Sequence, residues 1–425
     1  MIDARMGRAT MDIIKITPQI KDYDWGNINF IPSLLGIPAD GRPKAEVWFG
    51  THPAGESTVP EYGDMPLGRF LAEHAAVYFG QSHLERFGAV LPLLFKVLAI
   101  DKPLSIQCHP SSSQAEEGFA KEEPLHRLLP RDEWNYKDPN RKAEVIYAMT
   151  PLTAMCGFRP LAQIDAALRL LIPVSYEKFF PEIFTGAASA IETHDNRGCD
   201  RLIAALFERL YTLDVASLKG CLDEYLKSLR QHDEFPLATA DGRFLESRGI
   251  ALSCAAEYPT DPGLFCPFLL NVMHLEPGEA LFLQPKTLHA YAYGNGIELM
   301  SASDNVLRGG LTHKKVDVPE LMKVLQIESG IPERTPTVVG AFGRKIILTP
   351  TEEFVLLTMD SGYYNIDRHD MIELMLCTEG HASIVASDGT FELEKGECCV
   401  IAATVPGYRL EVREGGTVFS ATVPA

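Results

Sequence analysis

Apolar and polar positions alternate in three different ways along the chain. Through residues 12–158 the apolar runs are short and broken by Gly and Pro, as in Ala45-Glu-Val-Trp-Phe-Gly50 and Leu93-Leu-Phe-Lys-Val-Leu-Ala-Ile100. Such runs predict strands, with helix between them at 66–73 and 113–121. After Pro160 the period changes. Leu161, Ile164, Leu168 and Leu171 share one helical face, as do Leu202, Leu206, Leu210 and Leu213, and then Leu218, Leu222, Leu226 and Leu229. Strand-like sequence resumes near Pro267. There Leu275-Glu-Pro-Gly-Glu-Ala-Leu-Phe-Leu283 is matched later by Leu393-Glu-Lys-Gly-Glu-Cys-Cys-Val-Ile401, an internal repeat expected of two related β units. Aligned without gaps, His289 of the first copy falls on Gly407 of the second.

Composition narrows the function classes. The chain has 425 residues and a net charge of −18, which disfavours nucleic-acid binding. No apolar run approaches the roughly 18–20 residues that a membrane span needs. The N-terminus lacks a signal-peptide pattern, and the first ten residues are expected to be a leader or an alternative start. The nine cysteines form no CxxC pair and fit reduced, buried thiols in a cytoplasmic protein.

Candidate chemistry gathers in a few places. In Leu104-Ser-Ile-Gln-Cys-His-Pro110, strand periodicity puts Gln107 and His109 on one face. Glu144 in Asn140-Arg-Lys-Ala-Glu144 and His289 in Pro285-Lys-Thr-Leu-His-Ala-Tyr291 complete a four-ligand N/O set for zinc, with a position open to water or substrate. The competing reading of each histidine is an ordinary core residue. Lys96 interrupts an apolar run, and a lysine there needs a partner or a cleft. Lys142 shares a strand face with Glu144. The polar stretch 297–314 holds Glu298, Asp304, Arg308 and Lys314, and Arg308 suits a phosphate fork. His52, His74, His83, His126, His194, His232 and His369 have no such context and are expected at the surface or at caps.

Together these motifs resemble the type I mannose-6-phosphate isomerase (phosphomannose isomerase) family. The likeness runs through Trp25-Gly26, Ala45-Glu-Val-Trp-Phe-Gly-Thr-His-Pro53, the Lys96 strand, Ser-Ile-Gln-Cys-His-Pro110, Met155-Cys-Gly-Phe-Arg-Pro160, Leu-His-Ala-Tyr291 and Ser303-Asp-Asn-Val-Leu-Arg308. The resemblance implies one zinc on Gln107, His109, Glu144 and His289, and a catalytic Arg308. It implies a mainly β fold: a zinc-bearing cupin (jelly-roll) barrel over 11–159 and 256–335, a helical insertion over 160–255, and a cupin-like β domain over 336–425. The chain departs from the family pattern at Arg141, where His is usual, at Ala143 and His313, where Pro is usual, and at Gly309, where Ala is usual.

The implied reaction interconverts mannose 6-phosphate and fructose 6-phosphate through an enediol(ate), a step open to both glycolysis and nucleotide-sugar synthesis. Lys142, Lys96 and Glu298 are the candidate bases, and a lysine base would need a lowered pKa. Ser105, Lys314 and Asp304 are expected at the substrate. The alternatives are a non-catalytic sugar-phosphate-binding cupin and another metal-dependent cupin sugar enzyme. The expected partner is a small sugar phosphate, without nucleic acid or membrane, and the expected state is a monomer.

Overall fold

The computed structural model describes residues 12–231, 243–367, 370–387 and 389–424. His232, His369 and the expected leader lie outside the described residues. Helix and strand take near-equal shares, 35% and 32%, so the expected mainly β character is offset by the helices after Pro160. Those helices run from Leu161–Leu171 to Arg243–Ala255, and strand resumes at Leu270–Leu275.

A ten-stranded sheet is organised around the long strand His289–Ser301. Its C-terminal half lies between Leu93–Ile100 and Glu144–Ala148. Its N-terminal half pairs with Leu152–Phe158 and, through His289 opposite Gln107, with Ile106–Cys108. The strand changes partners near Gly294, which has φ +109°; a Cβ there would come within 2.4 Å of the Pro151 carbonyl. Only glycine suits that bend. The pairing does not close into a ring among the described residues.

Alternation along these strands separates two environments. Val47, Phe49, Phe95, Val97, Val145, Ile297 and Leu299 enter one large apolar core shared with the C-terminal sheet. The intervening residues, Glu46, Trp48, Lys96, Glu144 and Glu298, turn the other way and are also buried. Helical residues such as Ile164, Leu206 and Leu222 pack with Ile106, Met155 and Phe158 behind the other half of the sheet.

The second, nine-stranded sheet is built from the C-terminal strands. It also takes in the chain's first strand, Ile13–Ile16, which pairs with Cys398–Ile401. The repeated Leu-Glu-x-Gly-Glu segments form the same turn in both sheets. Glu276 N donates to Glu279 Oε2 at 2.9 Å, and Glu394 N donates to Glu397 Oε2 at 3.0 Å. Gly278 and Gly396 hold φ of +98° and +84° in the equivalent position.

Candidate metal centre and cavity

Three predicted ligands meet. One donor atom from each of His109, Glu144 and His289 lies within 4.8 Å of the others, and all three residues are 1% exposed. His109 Nδ1 donates to the Asn305 carbonyl at 2.7 Å, and His289 Nδ1 donates to the Thr287 carbonyl at 2.9 Å. These bonds fix the tautomers and leave both Nε2 atoms as acceptors aimed at Glu144, 3.3 Å and 3.2 Å from its Oε2. His109 Nε2 makes no hydrogen bond. A buried, unsatisfied nitrogen facing a carboxylate is the donor arrangement a metal cation fits. Burial, with Lys142 nearby, holds His109 down at about 4, so its ring is neutral near pH 7. Burial opposes the charge of Glu144, yet the neighbouring Lys142 ammonium holds its carboxyl well below the usual range. Gln107 sits opposite both His289 and Arg308 on neighbouring antiparallel strands. Opposed residues share a face, and Gln107 lines the same cavity as Glu144.

That cavity has a volume of about 390 Å³. Lys96, Lys142, Glu298, Ser105, Arg308 and Lys314 all line it. Lys142 Nζ lies 2.9 Å from Glu144 Oε1, and Arg308 Nη1 donates to Ser105 Oγ at 2.6 Å. Asp304, expected at the substrate, does not line this cavity; it is paired with His52 at 3.1 Å and Arg131 at 2.9 Å. Burial pushes its carboxyl up, but the bonds from His52 and Arg131 hold it well below the usual range.

The lowered pKa expected of a lysine base is absent at Lys96. Burial pulls this ammonium down, but Glu298, Glu46 and Glu144 hold it well above the ordinary lysine range. Glu298 Oε2 accepts from Lys96 at 2.9 Å, and its Oε1 accepts from Tyr291 Oη at 3.0 Å.

Glu46, Trp48, Tyr291 and His52 were not singled out from sequence. Glu46 carries the signal that marked Lys96, a charge inside an apolar run. The surface or cap expectation is wrong for His52 and His83, which are 8% and 0% exposed. A lone histidine has no sequence mark of the carboxylate or ring it will meet in the fold. His52 meets Asp304, and His83 stacks on Phe79.

The family departures have structural counterparts. Arg141 points to the C-terminal part of the chain, where Nε and Nη2 each donate to Glu353 at 2.7 Å. Ala143 N donates to Ser301 Oγ at 2.9 Å, a bond that proline could not make. A Cβ on Gly309 would lie 2.7 Å from Leu288 Cδ1, so alanine there would require Leu288 to move.

Comparisons with known proteins agree with this geometry. The family model for the phosphomannose isomerase type I catalytic domain matches residues 13–161. Mannose-6-phosphate isomerase of Escherichia coli (strain K12) is 34% identical over 415 residues, covering 93% of this chain and 97% of that protein. The Arabidopsis thaliana mannose-6-phosphate isomerase 1 is 31% identical over 325 residues, covering 74% of this chain and 71% of the relative. A crystal structure of a mutant phosphomannose isomerase from Salmonella typhimurium superposes with a TM-score of 0.82 at 30% identity, over 97% of this chain and 100% of that one. A mannose 6-phosphate isomerase structure bound with zinc and yttrium gives 0.81 at 30% identity, with the same coverage. Similarity of this extent, over nearly the whole length, shows that the chain belongs to the type I phosphomannose isomerase family.

Proposed function

We propose that the chain is a mannose-6-phosphate isomerase that interconverts mannose 6-phosphate and fructose 6-phosphate. The observation that carries this reading is the buried convergence of His109, Glu144 and His289, with Glu144 lining a cavity walled by Lys96, Glu298 and Arg308. We assign one zinc ion to Gln107, His109, Glu144 and His289, an N/O set suited to that metal. When bound, it would polarise the sugar oxygens as a Lewis acid.

The chain's own residues do the rest. Isomerisation moves a proton between C2 and C1 through an enediol(ate), so one group must take and return it on the same face. We assign this to Glu298, a carboxylate oriented by Lys96 and Tyr291. Lys142 is the competing candidate. Lys96, held charged, supplies a fixed positive potential beside the developing oxyanion. Arg308, oriented by Ser105, supplies a second positive charge, and Lys314 adds a third at the open end. Asp304 keeps His52 and Arg131 in place.

In this reading the ten-stranded sheet is the zinc-bearing cupin unit, assembled from 11–159 and 256–335. Residues 160–255 are a helical insertion, and 336–425 are a second cupin-like unit. The shared Glu276/Glu394 turn supports that relationship. No helix among the described residues is long and apolar enough to cross a membrane. Eight of the nine free cysteines are buried, which supports a reducing, cytoplasmic setting. We take the working form to be a monomer that binds no nucleic acid.

The test is turnover of mannose 6-phosphate before chelation, after chelation and after zinc is added back. Loss on chelation with recovery on zinc is expected. A folded, zinc-loaded protein without turnover would leave a sugar-phosphate binder instead.

A further inference from the structure

Arg308 takes its direction from an irregular turn. It lies opposite Gln107, but the register shifts between Arg308 and Gly310, which lies opposite Ile106. A bulge of this kind re-aims the side chain beside it. The backbone then passes through φ of +120° at Gly310 and +51° at Leu311. Leu311 is buried and carries a Cβ, so its left-handed conformation persists only where the surroundings impose it. Arg308 Nη1 donates to Ser105 Oγ at 2.6 Å. Among the described residues it forms no ion pair, so its aim depends on Ser105 and on the turn that follows it.

Two groups from outside the sheet hold that turn. Tyr211, near the end of helix Asn196–Thr212, donates its hydroxyl to the Gly309 carbonyl. Asp261, in the connection leading back to the sheet, accepts from Gly263 N at 2.7 Å through Oδ1 and from Thr312 N at 3.3 Å through Oδ2. The packing here is close. A Cβ on Gly310 would lie 2.9 Å from each of Asp261 Oδ1, Gly263 Cα and Tyr211 Oη. Burial lifts the Asp261 carboxyl above its usual range, and the amides of Gly263, Thr312 and Leu311 oppose that rise. The plainest role for Asp261 is to cap the turn Pro262–Phe265. Capping occupies one carboxylate oxygen, and the other reaches the segment that carries Arg308.

We propose that Tyr211 and Asp261 are positioning residues for Arg308: they hold the bulged turn 309–312 in the shape that aims the guanidinium into the metal cavity. The helices after Pro160 would then act on the reaction through this turn. The proposal rests on the isomerase reading above, which places Arg308 beside the developing oxyanion.

The experiment compares zinc-loaded wild type with Asp261→Asn and Tyr211→Phe, alone and combined with Arg308→Lys. Asp261→Asn is expected to lower kcat for mannose 6-phosphate about 10- to 100-fold, the cost of misplacing one group at the reacting atoms. Tyr211→Phe should lower it about 5-fold, the worth of one neutral hydrogen bond. KM should move much less, and zinc content should hold in both. In the Arg308→Lys background either substitution should change kcat by less than about 2-fold, because a flexible lysine stem does not inherit the aim of the turn. Amide hydrogen exchange at Leu311 and Thr312 should speed up about 10-fold in Asp261→Asn, with the change confined to residues 309–314.

Losses that multiply in the Arg308→Lys background would overturn the proposal, since a general loosening of the fold acts independently of Arg308. So would loss of zinc, or unchanged kcat and exchange in both single variants. If Asp261→Asn does not fold, Tyr211→Phe decides. If wild type shows no turnover, the isomerase reading fails, and the exchange rates still decide whether Tyr211 and Asp261 hold the turn.

Discussion

The two sheets share a turn motif and an apolar core, yet they treat buried charge in opposite ways. In the C-terminal sheet the carboxylate of Glu373, 1% exposed, is surrounded by donors. Tyr408 Oη donates at 2.7 Å, Arg344 Nη1 at 3.1 Å, and Ser420 Oγ also bonds it. In the ten-stranded sheet, Glu144 meets Lys142 at one oxygen but turns the other toward two imidazole acceptors, and one of them has no hydrogen bond. Glu373 is far from the metal cluster in the sheet order and its charge is met by its own neighbours, a structural arrangement. Buried groups that converge and leave a lone pair unmet mark a place for a ligand. Gly407, aligned with His289, shows the same divide, since it leaves the second unit without that donor.

The sharpest way to break this contrast is to exchange the carboxylates for amides. Glu144→Gln is expected to abolish stoichiometric zinc and turnover, as read by metal analysis and isomerase assay. Glu373→Gln should keep both and lower stability by about 1–3 kcal/mol, because a donor is left facing its own kind. Zinc loss in Glu373→Gln would erase the distinction.

Glu298→Gln should lower kcat by about 10²- to 10⁴-fold with zinc retained, the range for loss of a general base. If Lys142→Met shows that loss and Glu298→Gln does not, the proton transfer belongs to Lys142.

The Arg141–Glu353 fork joins the two regions at the residue just before Lys142 of the metal-bearing segment. A double-mutant cycle on this partly exposed pair, with Arg141→Ala and Glu353→Ala, should give a coupling on the order of 1 kcal/mol in denaturant unfolding. Zero coupling would make the two regions energetically independent here.

The smallest effect on metal is expected from Gly407→His. A Cβ there would approach the Ile366 carbonyl to 2.6 Å, so the variant should lose stability without gaining a second zinc. A metal stoichiometry of two would show that the C-terminal unit lacks only its ligand.

Periodicity carried much of this structure at the level of sequence. The strand at Leu93–Ile100, the helices after Pro160 and the repeated turn all follow from local spacing and from Gly and Pro. Three of the expected metal residues, His109, Glu144 and His289, do meet, and they were legible because family motifs marked each of them. Tertiary structure decided what those side chains face. Glu46 comes to lie near Lys96 because strand Glu46–Phe49 pairs with Leu93–Ile100, and the carboxylates that gather there hold the Lys96 ammonium above the ordinary lysine range. Arg141 finds Glu353, His52 finds Asp304, and the segment holding Arg131 and Lys137 meets Arg308, all of them far apart in the chain. Local pattern settles which way a side chain points along its own strand. Its charge state and its partner depend on long-range pairing and burial, which no local spacing encodes.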